Sequence, residues 1–145
     1  MAISLNWWND RNNRRMSEGT AGQIPYSNGT SGLVWSSGLG LVPTTLAAQS
    51  GAVTLDRSLG PVFRVLLTGN ATSLAVTNHP GDGSHLEIHF IQDATGSRTL
   101  AGINAAFKLA GGALTLSTAA NKIDVLTFRG IGATWIETAR ALNIS

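Results

Sequence analysis

The chain has 145 residues, of which 43% are hydrophobic and 12% are charged, and its formal net charge is +2. This length supports one domain with a modest core. The absence of cysteine excludes disulfides and thiolate metal sites. No apolar stretch is long enough to span a membrane, and no basic run is long enough to follow a phosphate backbone. We therefore expect neither a membrane nor a nucleic acid as a partner.

The low share of charged residues points to assembly. It is about half of what a globular chain usually carries, and a free monomer normally presents more charge to water. Arginine supplies most of the cations, and arginine is favoured at interfaces because its planar fork pairs well when desolvated. The composition therefore favours a protein whose surface is largely committed to neighbouring subunits.

Residues 1–50 differ from the rest of the chain. They are rich in Gly, Ser, Thr and Asn, and their apolar residues follow neither a strand period nor a helix period. We predict an extended N-terminal arm that becomes ordered on another subunit, because solvent exposure of its tryptophans would be costly. Tryptophan and arginine anchor interfaces most often, so the candidate partner-binding residues are Trp7, Trp8, Arg11, Arg14, Arg15 and Trp35. The alternative is that the tryptophans fold back and complete the core of their own domain.

A β-domain is predicted over residues 51–145, after a short helix over 44–50 that ends at Gly51. Short strands follow about every ten residues, with turn clusters between them, and no internal repeat is visible. This pattern predicts an all-β fold, as an antiparallel β-sandwich or a jelly-roll-like barrel.

The central strands are the clearest elements. From His85 to Ile91 the apolar residues alternate strictly with polar ones, which marks a half-buried strand. In the run from Ile123 to Phe128 the apolar residues change parity between Val125 and Leu126. Either both faces of that strand are covered or a bulge shifts its register.

Three charged residues in this region are predicted to be structural. Asp93 and Arg98 stand at the two ends of a turn signal and suit a turn-closing hydrogen bond or ion pair. Asp124 lies within an apolar strand, where a half-buried carboxylate needs a partner. By residue type, Arg98 or Lys122 is the nearest candidate.

The sequence offers no case for an enzyme, a cofactor or a metal. His85 and His89 would lie about 13 Å apart on one face of a strand, too far apart to share a zinc ion. No glycine-rich phosphate loop and no marked serine nucleophile occurs. The remaining histidine, His79, lies in a turn cluster; histidines at the surface or in an interface are the simpler interpretation.

A resemblance adds context. The strand ending in Gln92-Asp93, the Thr95 to Thr99 turn, the Gly111-Gly112 loop, the run from Ala120 to Phe128 and the ending at Trp135 follow one another in a set order and spacing. In this order they resemble the small β-domain of tailed-bacteriophage virion proteins, which occurs in capsid decoration (cement) proteins and in tail-fibre tips. The similarity runs from about Leu66 to Glu137. Residues 103–107 depart from it, since relatives often carry Pro and Trp there.

The resemblance implies a location in the virion, and relatives commonly form homotrimers. Our first interpretation is a capsid decoration protein that docks on the major capsid protein, or on another virion protein, through its arm. The alternative is a tail-fibre tip or receptor-binding module that recognises a host surface glycan. A third interpretation is a carbohydrate-binding module without a virion role, with Trp135 and Tyr26 as its aromatic platforms.

Overall fold

The computed structural model describes residues 24–27, 33–36 and 42–145. The chain divides into two compact units, Met1–Gly40 and Leu41–Ser145. In the first unit, strands β1 (Ile24–Ser27) and β2 (Leu33–Ser36) form an antiparallel pair. The boundary predicted between residues 50 and 51 falls inside a strand of the second unit, which begins at Leu41.

The second unit is built on one six-stranded sheet. Its strands, in chain order, are β3 (Thr44–Asp56), β4 (Val62–Thr77), β5 (His85–Gln92), β6 (Phe107–Lys108), β7 (Ile123–Ile131) and β8 (Thr134–Ile144), with a 3-10 turn at Arg57–Leu59 after β3. Their order across the sheet is β3-β4-β5-β7-β8-β6. The described residues contain no α-helix and hence none that could cross a membrane. The prediction of an all-β fold is confirmed.

The helix predicted over residues 44–50 is wrong, because these residues form the first half of β3. Thr44, Thr45 and Leu46 pair in parallel with consecutive residues of β4. A seven-residue helix gains little by itself, whereas pairing here lets Leu46 pack against the core. Tertiary pairing therefore outweighs local helix propensity.

The sheet is curled and mixed rather than antiparallel throughout. The pairs β3–β4, β4–β5 and β6–β8 are parallel, whereas β5–β7 and β7–β8 are antiparallel. Alternation along a strand shows which side chains face inward, but it carries no information about the direction of the neighbouring strand.

The parallel pairing of β3 with β4 requires both strands to bend. Only residues 57–61 connect them, and five residues reach about 18 Å when fully extended, whereas a straight β3 would span about 43 Å. The bend in β3 lies at its register shifts, near Ala48 (φ 54°) and Gly51 (φ 70°). The matching position in β4 is Gly69, where a Cβ would lie 2.8 Å from the Cβ of Ser50. The chain thus folds back within each strand.

Successive bent segments stack as rungs. The first rung is β3 and the second is β4. The third begins with β5 and continues through Leu100 and Ile103, which form parallel bridges to Ala71 and Leu74 of β4. Such stacking resembles a short β-solenoid, in which each rung contacts only its neighbours. The rungs repeat in structure although no repeat is visible in the sequence.

The inner face of the curled sheet carries the core. The predicted alternation of β5 is confirmed, since Leu86, Ile88 and Phe90 are buried and the intervening residues are half-buried. Burial also alternates without a break along β7, while its pairing with β8 shifts register between Ile123 and Val125. No bulge lies at the parity change itself: the shifts with β8 fall between Ile123 and Val125 and between Thr127 and Phe128, and β7 pairs with β5 without a shift. Ile123 and Val125 remain on the outer face, where both are half-buried.

Candidate functional site

The arm residues proposed for partner binding lie mostly outside the described residues. This holds for Trp7, Trp8, Arg11, Arg14 and Arg15. Trp35 lies in β2, paired with Pro25 of β1, and its side chain is not among those described.

Asp93 organises the turn after β5. Its Oδ1 accepts hydrogen bonds from the backbone N–H groups of Thr95 (3.0 Å) and Gly96 (2.8 Å), and its Oδ2 accepts from Nε (3.1 Å) and an Nη (2.8 Å) of Arg98. The Arg98 guanidinium, followed by these amides, lowers the pKa of Asp93 below its usual value. Gly96 has φ 70°, and a Cβ there would lie 2.6 Å from the carbonyl oxygen of Thr118. The turn therefore also holds the loop before β7 in place.

Gln92 holds the same turn from the inner face. This buried side chain accepts from the backbone N–H of Arg98 at 2.9 Å and donates to the carbonyl oxygen of Arg98 at 2.8 Å. Gln92 was missed by the sequence analysis. The available signal was its parity, because it follows Leu86, Ile88 and Phe90 on the buried side of β5.

Asp124 has partners other than the expected Arg98 or Lys122. Its Oδ2 accepts from the backbone N–H of Ser117 at 2.6 Å, and its Oδ1 accepts from the backbone N–H of Asn143 at 2.8 Å. The carboxylate is buried on the inner face. It ties the loop at Ser117 and the end of β8 at Asn143 to β7, so its partners are backbone donors that residue types cannot reveal.

A third carboxylate, Glu137, holds the loop after β6. It pairs with Arg140 at 2.6 Å and accepts from the backbone N–H of Ala110 at 2.8 Å. Arg140 in turn donates to the carbonyl oxygen of Ala113 at 3.0 Å. The hydrogen bonds from Arg140 are the main cause of the lowered pKa of Glu137. Together the pair closes the loop that contains Gly111 and Gly112.

The loops at one end of the sheet are also firmly anchored. Asp56 accepts from the backbone and hydroxyl of Ser58 (2.9 and 2.7 Å) and from the side chain of Asn78 (2.7 Å). These bonds lower the pKa of Asp56, and the bond from Asn78 contributes most to that shift. They join the turn after β3 to the loop after β4.

The loop after β4 packs in turn on the β7–β8 hairpin. The ring of His79 lies 4.3 Å from the ring of Trp135 between centroids, and its Nδ1 accepts from the backbone N–H of Gly81 at 3.0 Å. Gly130 is closely surrounded, because a Cβ there would collide with Ser84 Oγ and lie 2.8 Å from the carbonyl oxygen of Gly81. Trp135 is only 1% exposed, so the interpretation of this residue as an aromatic platform for a glycan is wrong.

These anchored loops form what we call the loop surface: residues 57–60, 78–84 and 131–133. Its most prominent apolar tips are Leu59, 63% exposed, and Ile131, 60% exposed. Asp82 accepts from the backbone N–H of Gly132, which fixes the hairpin tip. Rigid loops with exposed aliphatic tips are suited to binding, because little conformational entropy is lost on contact.

The outer face of the sheet carries a second apolar feature, which we call the apolar row: Leu66, Ile91, Ile123 and Ile144. These residues are direct cross-strand partners along four adjacent strands. Within the described residues the first three are half-buried and Ile144 is 39% exposed. A contiguous apolar row with no layer over it in residues 42–145 is typical of an interface between proteins.

The histidines of β5 lie on this outer face too. His89 contacts Glu87 on the same strand at 2.6 Å, and His85 lies opposite Arg129 of β7. Among the described residues no group of His and carboxylates has the arrangement of a metal site.

An open groove of about 530 Å³ lies between residues 100–105 and 107–114. Leu100, Ile103, Leu109 and Leu114 line it and are partly buried against the core. Its one aromatic lining residue, Phe107, is buried. The groove therefore lacks an exposed ring on which a sugar could stack.

The described residues of the second unit form an all-β domain of stacked rungs with anchored loops. The model of one family, described as putative phage tail fibre C-terminal domain, matches residues 48–135. This is more than half of the chain, which therefore belongs to that family and is a phage structural protein. Comparison with curated proteins gives no match.

Proposed function

We propose that the chain forms the terminal module of a phage tail fibre and contacts the surface of the host cell. The observation that carries this proposal is the family match, which spans most of the first rung, the second and third rungs and the start of β8. The loop surface supports it, since the bond from Asn78 to Asp56 and the bond from Gly132 to Asp82 join its three separate loops. The role is structural and requires no bond-making chemistry by the chain.

We also propose that copies of the chain associate as a homotrimer through the apolar row. Each copy would cover isoleucines that its own described residues leave partly exposed. The sparse charge of the whole chain, 12% of residues, favours the same arrangement because little desolvation of charge opposes it.

Two measurements test the proposed location and role. Antibody labelling of intact phage particles, viewed by electron microscopy, should mark the tail and not the capsid surface. Fluorescently labelled full-length chain should bind cells of the host strain and, in excess, slow adsorption of the phage. Label on the capsid surface together with absent cell binding would overturn the proposal.

A capsid decoration protein is the second candidate function, based on the tryptophans and arginines of residues 1–50. Under this hypothesis Trp7→Ala combined with Trp8→Ala should weaken attachment to particles that lack the protein, since interface tryptophans typically cost about 2 kcal/mol or more each when truncated. Particle binding that depends on these residues would favour it. The labelling experiment decides between the two locations.

A further inference from the structure

One row on the outer face of the sheet carries positive charge. We call it the basic row: His85 on β5, Arg129 on β7, Ile136 on β8 and Lys108 on β6, each the cross-strand partner of the next. Arg129 and Lys108 are exposed and His85 is half-buried. From the strand spacing, the two cations lie about 10 Å apart across the sheet.

The cations of this row have no carboxylate partner within residues 42–145. Lys108 donates to the carbonyl oxygen of Ala105 at 2.9 Å, and Arg129 reaches only the carbonyl oxygen of Gly83 at 3.5 Å. Nearby, Arg57 donates to the carbonyl oxygen of His85 at 3.1 Å. Each of these three side chains retains N–H donors that can form hydrogen bonds to an external anion.

The Asp and Glu side chains of residues 42–145 all accept hydrogen bonds within the domain. Each accepts hydrogen bonds from a fixed partner: Asp56 from Ser58 and Asn78, Asp82 from Gly132, Glu87 from His89, Asp93 from Arg98, Asp124 from Ser117 and Asn143, and Glu137 from Arg140. Asp93 and Glu137 are already paired with arginines and Asp124 is buried, so a second copy of the domain has few carboxylates to offer the basic row. The complementary partner has to bring its own negative charge.

The composition of the face narrows the class of anion. Every Phe and Trp of residues 42–145 is buried, and the one ring in the row, the imidazole of His85, is half-buried. The row therefore offers little ring surface on which a base could stack, and stacking is what single-stranded nucleic acids require. A neutral glycan has no negative charge to pair with the two cations, and the row offers it no aromatic platform. An extended polymer with carboxylate groups matches both cations, because Arg binds carboxylates in a fork and Lys binds them as a point charge.

We propose that the basic row binds a carboxylate-bearing polysaccharide. This inference rests on the proposed contact with the host surface and names the class of ligand for it. The polymer runs across β7, β8 and β6, with carboxylates on Arg129 and Lys108. Ile131 of the loop surface borders the row, since it lies two residues after Arg129 on the same face of β7.

The test uses the full-length chain and polygalacturonate, with uncharged dextran as the reference polymer. Polygalacturonate should bind, more weakly as salt increases, and dextran should not. Arg129→Ala and Lys108→Ala should each weaken binding about tenfold, as expected for loss of one charge-assisted hydrogen bond. Lys122→Ala is the matched control: Lys122 directly precedes β7, about 23 Å along the extended chain from Arg129, so removal of the same charge there should leave binding unchanged.

The outcomes separate this inference from the proposed function. Equal affinity of the Arg129→Ala variant and the wild type overturns the inference, as does tighter binding of polyphosphate than of polygalacturonate. Labelled chain that binds host cells regardless of Arg129 and Lys108 leaves the proposed function standing without this site. Label on the capsid surface together with failure of the wild type to bind host cells removes the proposed function itself, whatever polygalacturonate does.

Discussion

The side chain of Gln92 binds both backbone polar groups of Arg98, accepting from its N–H at 2.9 Å and donating to its carbonyl oxygen at 2.8 Å. The amide thus takes the place of a neighbouring strand where the sheet ends. Arg98 uses its guanidinium for Asp93, so one residue is fixed at its backbone by the inner face and at its side chain by the turn. Loss of either link should loosen the whole segment from 93 to 99.

Gln92→Met should destabilise the domain by about 1–3 kcal/mol, because it leaves a buried N–H and carbonyl group unpaired. Methionine has similar volume, so the effect reports hydrogen bonding rather than packing. Denaturant unfolding measures it. Gln49→Met is the matched control, since Gln49 bonds only to the nearby Ala47 carbonyl oxygen. Equal stability of the two variants would contradict the structural role of Gln92.

Asp124→Asn should also destabilise by about 1–3 kcal/mol. One carboxylate oxygen becomes an NH₂ group, which cannot accept from both Ser117 and Asn143. Amide hydrogen exchange should then accelerate at whichever of the two N–H groups loses its acceptor. Unchanged exchange at both positions would show that neither bond restrains its segment.

Stability should fall in acid. The pKa values of Asp56, Asp93 and Glu137 are lowered in the folded chain, chiefly by hydrogen bonds from Asn78, Arg98 and Arg140 respectively. A carboxyl with a lowered folded pKa contributes stability above its unfolded pKa of about 4, and that contribution is lost as the pH falls through the folded value. Thermal midpoints should therefore decline below about pH 4.

The acid sensitivity has a defined control. Glu137→Gln removes one of the three carboxyl groups whose protonation destabilises the folded chain. The variant should show a shallower decline of the thermal midpoint in acid and a lower stability at neutral pH. If the variant keeps the wild-type profile in acid, Glu137 contributes nothing to the linkage.

Ile91→Asp should disrupt self-association without unfolding the domain. Ile91 lies at the centre of the apolar row, on the face opposite the core, and a carboxylate there would be desolvated in an interface. Light scattering should show a monomer mass, with the β-sheet circular dichroism of the wild type. Thr127→Asp, on the polar part of the same face, should retain the wild-type mass. A wild type that is itself monomeric would refute the proposed homotrimer.

Two truncations test where the folding unit begins. A chain that starts at Leu41 keeps all of β3 and should fold cooperatively. A chain that starts at Gly51 loses the half of β3 that covers Phe63 to Leu67 of β4, so it should be less stable and tend to aggregate through the uncovered edge. Equal melting transitions for both chains would instead support an independent domain that starts at residue 51.

The sequence predicts which face of a strand is buried better than it predicts which strands pair with each other. The alternation in β5 and the residue types of the Asp93–Arg98 turn were visible, because both depend on residues adjacent in the chain. The parallel pairing of β3 with β4 was not, since a period of two is the same for either strand direction. Gln92 was overlooked although its position in the alternation of β5 predicts burial. The burial of Asp124 was expected, but its backbone partners could not be inferred from residue types. Both residues mark positions where a strand side chain forms hydrogen bonds to backbone groups of another segment.

The stacked rungs also constrain how this protein can change its length. Thr44 lies beside Phe63 and Asp56 beside Thr77, so the second rung repeats the path of the first with nearly the same number of residues. In a stack where each layer touches only the next, a layer can be gained or lost while the others keep their contacts. A single-residue insertion has the opposite effect, because it turns core side chains outward for the remainder of the strand. Viable length variants should therefore differ by whole rungs or in the loops, and rarely within the strands.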